Sequence, residues 1–67
     1  MKLRKGTNLI TVDRVVTVYE KLSACWPYVL SVTTFVPGVG WQELRANDLM
    51  YPGRGYFVRV SEECTEV

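Results

Sequence analysis

At 67 residues, with 48% apolar residues, 22% charged residues and a formal net charge of +1, the chain has the make-up of one small globular domain. That balance excludes an intrinsically disordered tract and argues against a partner held by charge alone, such as bulk nucleic acid. No apolar run reaches the roughly 18 residues of a membrane-crossing helix, and no basic start leads into an apolar h-region, so neither a span nor a secretory leader is expected.

In chain order, Gly6–Val12 is β-branched, follows a glycine and reads as a first strand. Val12, Val15, Val16, Tyr19 and Leu22 then recur at helical spacing, which predicts a helix over about residues 12–24, capped by Thr11 and packed through that stripe. Asp13 suits the positive end of that helix. Trp26-Pro27 closes it, because proline disfavours the α conformation at the residue before it. Residues 28–36 alternate, with Tyr28, Leu30, Val32 and Val36 on one face and Val29, Ser31, Thr33 and Phe35 on the other.

Pro37-Gly38 fits the centre of a type II turn, and Trp41–Leu44 reads as the next strand. Residues 45–49 are expected to be irregular or a single helical turn. Pro52-Gly53, with Gly55 close behind, turns the chain into a last strand, Tyr56–Val60, and the tail from Ser61 is expected to fray. Lys2, Arg4 and Lys5 crowd one end, and Glu62, Glu63 and Glu66 crowd the other. Antiparallel pairing of the first and last strands would bring these opposite charges together. The fold class is therefore α+β: a small four-stranded, mainly antiparallel sheet or partial barrel with one packed helix. A single domain spans 1–67, with an ordered core over about 6–61.

Chemistry-bearing constellations are sparse. The chain has no histidine, so a serine or cysteine nucleophile lacks its ordinary base, and the usual Cys/His zinc sites are excluded within one chain. The carboxylates are scattered, and no acid–base pair stands out. No catalytic residue, cofactor site or metal site is expected. Gly38-Val39-Gly40 and Gly53-Arg54-Gly55 share the G-x-G form, but neither opens a helix in a βαβ unit, so both read as turns. Arg54-Gly55-Tyr56-Phe57-Val58-Arg59-Val60 approaches an RNA-binding signature. Its aromatics are adjacent and must point to opposite faces, so it cannot stack successive bases in that way. Trp26, Trp41, Tyr51 and Phe57 read more readily as core than as a binding patch. If some are exposed, the interaction surface would comprise Trp41, Tyr51, Arg54, Phe57 and Arg59. Cys25 and Cys64 are either bridged or two free thiols.

Four stretches, taken together over residues 6–60, resemble a known module. They are Gly6-x-Asn8-Leu9-Ile10, Trp26 before a strand, Pro37-Gly38-Val39-Gly40-Trp41, and Leu49-x-x-Pro52-Gly53-x-Gly55-Tyr56-Phe57-Val58. The chain resembles the small glycine-and-aromatic modules of archaeal and bacterial cell-surface and S-layer-like proteins. It departs from them in Thr7 and Phe57, where tryptophan is usual. The resemblance implies a non-catalytic structural or adhesive role at the cell surface, with a protein or surface glycan as partner and no catalytic residues to carry over. The rival reading is a small stand-alone nucleic-acid-binding β-domain using Arg54, Arg59 and exposed aromatics.

Overall fold

The computed structural model describes residues 2–65. Its main sheet has four antiparallel strands in the order β2-β7-β4-β5, namely Gly6–Ile10, Tyr56–Val60, Val29–Val36 and Gly40–Glu43. Two short ribbons flank it. β1 (Lys2–Leu3) pairs with β8 (Cys64–Thr65), and β3 (Val16–Thr17) pairs with β6 (Leu49–Met50). The sheet does not close into a barrel. One helix, α1 (Val18–Leu22), continues as a 3₁₀ segment, Ser23–Tyr28.

The helix is shorter than residues 12–24, and it starts at a different cap. Thr17 accepts from the Glu20 backbone N–H at 3.1 Å, and the Glu20 carboxylate accepts from the Thr17 N–H at 3.2 Å. This T-x-x-E capping box satisfies donors that Thr11 would have left open. The run Val15–Val18 is β-branched throughout and favours extended backbone, so its centre pairs as β3 instead of joining the helix. As a result Val12, Val16, Val18 and Leu22 are buried, whereas Val15 and Tyr19 are exposed. Tyr19 packs edge-on to Trp26 instead, with ring centroids 5.2 Å apart. Trp26-Pro27 does not end the helix; the 3₁₀ segment runs through it.

The alternation of β4 is also rephased. Its pairing with β7 slips between Val29 and Ser31, which leaves Leu30 as an extra residue turned to solvent. Beyond the bulge Val32, Thr34 and Val36 take the inner side, while Tyr28 and Leu30 are exposed. Thr34 is the buried polar residue of the core, and its hydroxyl donates to the Gly55 carbonyl at 2.8 Å. The tail does not fray at Ser61, since Cys64–Thr65 forms β8. First and last strands do run antiparallel, with Gly6 opposite Val60. The charge pair formed is Lys2–Glu63, at 2.9 Å on an exposed surface where it contributes little; Glu66 lies outside the described residues.

The core lies on one side of the sheet. Ile10, Val32, Tyr56, Val58 and Val60 face Leu3, Val16, Val18, Leu22 and Met50 across it. Cys25 and Cys64 are bridged, with Cα atoms 5.6 Å apart, so the 3₁₀ segment is tied to β8 and through it to β1. Buried Tyr56 keeps its hydroxyl satisfied by accepting from the Tyr51 N–H at 2.7 Å. Tyr56→Phe leaves that N–H unpaired and should cost about 1–2 kcal/mol, lowering the melting temperature by roughly 4–8 °C per kcal/mol. An unchanged thermal transition would show that water replaces the hydroxyl.

Gly53 has φ +88°, as the turn requires. A Cβ there would meet nothing within 4 Å, so a substitution strains the backbone without a clash. Gly53→Val should therefore cost about 1–2 kcal/mol, and Gly53→Ala most of that, measured by chemical denaturation. Gly55 differs. It lacks a left-handed φ, and a Cβ there would sit 3.1 Å from the Leu9 Cδ1, the tip of an exposed side chain that can move aside.

Candidate interaction surface

Side chains alternate across a strand, so the residues between the core positions emerge on the far side of the sheet. Register aligns them in rows. Leu9, Phe57, Thr33 and Glu43 lie across β2, β7, β4 and β5. Thr7, Arg59 and Ser31 form the next row on one side, and Phe35 and Trp41 the row on the other. Among the described residues no helix or ribbon covers this face. Leu9 and Trp41 are each 62% exposed and Phe35 is 52% exposed.

The aromatics of three adjacent strands meet here. The Trp41 ring centroid lies 5.4 Å from that of Phe35 and 5.5 Å from that of Phe57, inclined at 72° and 63°. Edge-to-face contacts of this kind are the preferred aromatic geometry and hold the rings in place before any partner arrives. Arg59 lies on the inner strand β7 and Glu43 on the outer strand β5, and Thr7, Ser31 and Thr33 add hydroxyl-bearing side chains. An apolar, ring-lined centre with a sparse polar border is suited to contact with another surface or with a flat ligand.

The predicted surface residues divide between two sides of the molecule. Trp41, Phe57 and Arg59 share the open face, and Trp41 is therefore not core. Tyr51 and Arg54 lie elsewhere. The Arg54 guanidinium sits 5.5 Å from the Tyr51 ring centroid at the Pro52-Gly53 turn. This pair borders a shallow cleft with Thr34, Gln42 and Leu49, on the core side of β4 and β5. Tyr51 is exposed, whereas Trp26 packs against the core. Tyr56 faces inward and Phe57 outward, as their adjacency requires. Phe35 and Leu9 also lie on the open face, and the interaction surface expected from the sequence did not include them. The signal for Phe35 was its company: a face that also carries Ser31 and Thr33 is half polar and therefore open.

Among the described residues, no group of three or more His, Cys, Asp or Glu side chains is placed to hold a metal ion. Both thiols are consumed by the bridge. Comparison of the chain with family models, with curated proteins and with solved structures finds no match.

Proposed function

We propose that this chain is a non-catalytic interaction or structural module, part of or related to a cell-surface protein, and that it makes contact through the open face of its main sheet. The observation that carries the reading is the Phe35–Trp41–Phe57 cluster, solvent-facing and already ordered by its own ring contacts. The Cys25–Cys64 bridge supports it, because disulfides persist in oxidising surroundings such as a cell surface. The Gly/aromatic resemblance leads to the same class. A protein or a surface glycan fits such a face, since both are bound by apolar and ring contact with few charges.

The second reading, a nucleic-acid-binding β-domain, has one observation of its own: Arg59 stands beside Phe57 on the ring-bearing face. Arg54, its other proposed cation, is on the far side. The two readings separate in one titration series. The folded domain is added to isolated cell-envelope fractions and a glycan panel, and to single-stranded DNA and RNA at low and high salt, with the fraction of protein retained as readout. The proposed function predicts retention on envelope or glycan that Trp41→Ala lowers at least tenfold. Nucleic-acid binding that weakens steeply with salt and is lost in Arg59→Ala would replace it.

A further inference from the structure

β5 is an outer strand of the main sheet, and its hydrogen-bonding phase can be read from its continuation. The Leu44 N–H donates to the Val32 carbonyl at 2.8 Å, on the same register that places Thr33 opposite Glu43. Opposed residues of an antiparallel pair alternate between hydrogen-bonded and non-bonded. Val32–Leu44 is bonded, so Thr34–Gln42 and Val36–Gly40 are bonded as well. The backbone N–H and C=O groups of Trp41 and Glu43 consequently point away from β4, off the edge of the sheet.

The guards on this edge are slight, a four-residue length and the Glu43 charge. β5 has no proline, no lysine and no bulge. The opposite outer strand, β2, differs. Lys2, Arg4 and Lys5 precede it, and the Asn8 side chain holds the Arg4 backbone on both sides, accepting from its N–H at 3.0 Å and donating to its carbonyl at 2.7 Å.

We propose that β5 pairs antiparallel with β5 of a second copy of this chain, forming a two-fold dimer with one continuous eight-stranded sheet. The register follows from the outward groups. Placing Gln42 opposite Gln42 of the second copy sets each Trp41 opposite a Glu43, and both of these pairs are of the hydrogen-bonded kind, giving four backbone hydrogen bonds. The alternative centred on Glu43 opposes two carboxylates. The one centred on Trp41 runs into the turn at Val39. In the Gln42-centred register each indole lies beside a carboxylate that its N–H can reach, and the two Gln42 amides face one another on the other side. Both ring clusters end up on one face of the joined sheet. This inference stands apart from the reading of that face, which the pairing leaves open.

Sedimentation equilibrium on the intact, oxidised chain tests it, over a concentration series reaching the millimolar range. The expected result is a reversible shift from 7.7 kDa to twice that mass. Gln42 is exposed, so Gln42→Lys and Gln42→Glu should both fold. Each alone should stay monomeric, with like charges opposed across the two-fold. An equimolar mixture should recover the dimer. Glu43→Pro removes only an outward donor and should abolish the dimer with the melting transition retained. A monomer at every concentration, a dimer that both Gln42 variants leave intact, or a mixture that stays monomeric would each overturn the proposal.

Discussion

Replacing Cys25 and Cys64 with serine should lower the melting temperature by about 15–30 °C. The bridge joins residues 39 apart. Closing a loop of that length removes denatured-state entropy worth roughly 4 kcal/mol on the chain-entropy model. A chain of this size has a total stability of only about 3–10 kcal/mol, so the bridge is a large share of it. Its position adds to the effect. Cys25 is fully buried and anchors the 3₁₀ segment, while Cys64 belongs to β8, whose two residues pair only with the two of β1. Such a ribbon is too short to hold itself in place. Calorimetry of the wild-type chain under reductant isolates the bridge, and the double variant should melt at or below it, because serine at the buried Cys25 position adds a hydroxyl to the core. A reduced chain that melts within a few degrees of the oxidised one would mean that packing alone sets β1 and β8.

Val16→Asp should abolish the cooperative folding transition. Val16 is 8% exposed and sits opposite Met50, which is fully buried. An aspartate there places a carboxylate among Val12, Val18 and Leu22, and among the described residues no charged side chain is buried to pair with it. Burying an unpaired charge costs several kcal/mol, comparable to the whole stability of the domain. Far-UV circular dichroism on heating is the measurement. A sigmoidal melt within about 10 °C of the wild type would show that β3 and β6 open without cost to the rest. Val15→Asp is the internal control. Its side chain is exposed, so the change should be nearly silent.

Strands bounded by glycine and proline were legible from the chain alone. Tyr56–Val60 forms as expected, and the third strand, Gly40–Glu43, is displaced from Trp41–Leu44 by one residue. Those boundaries rest on local turn geometry, which Gly38 at φ +82° and Gly53 at φ +88° satisfy. The helix was misplaced because hydrophobic spacing cannot separate a buried ribbon from a helical stripe when both are valine-rich. The discriminating signal was Thr17-x-x-Glu20, a capping box visible in the sequence. The bulge at Leu30 left no local mark, since it arises from the match of β4 to β7, which are far apart along the chain. The open face was half legible. Trp41, Phe57 and Arg59 were singled out, but their union with Phe35 depends on strand order, which a sequence of this kind does not encode locally. Tyr51 was grouped with them as an aromatic and Arg54 as a cation, and the Pro52-Gly53 turn carries both to the other side.

The bridge also decides how the domain bears tension. Lys2 pairs with Thr65, so the two ends of the described chain leave side by side, and a pull applied to them peels the β1–β8 ribbon open one rung at a time. At Cys64 the load crosses sulfur to Cys25 and bypasses every residue between them. β4, β5, β6 and β7 then carry no force along their backbones. Only the stretch from residue 2 to residue 25 can be drawn out, about 80 Å at full extension. Stretched from its ends, the domain behaves as a short tether with a mechanical stop, and the strands bearing Phe35, Trp41 and Phe57 lie wholly within the shielded loop.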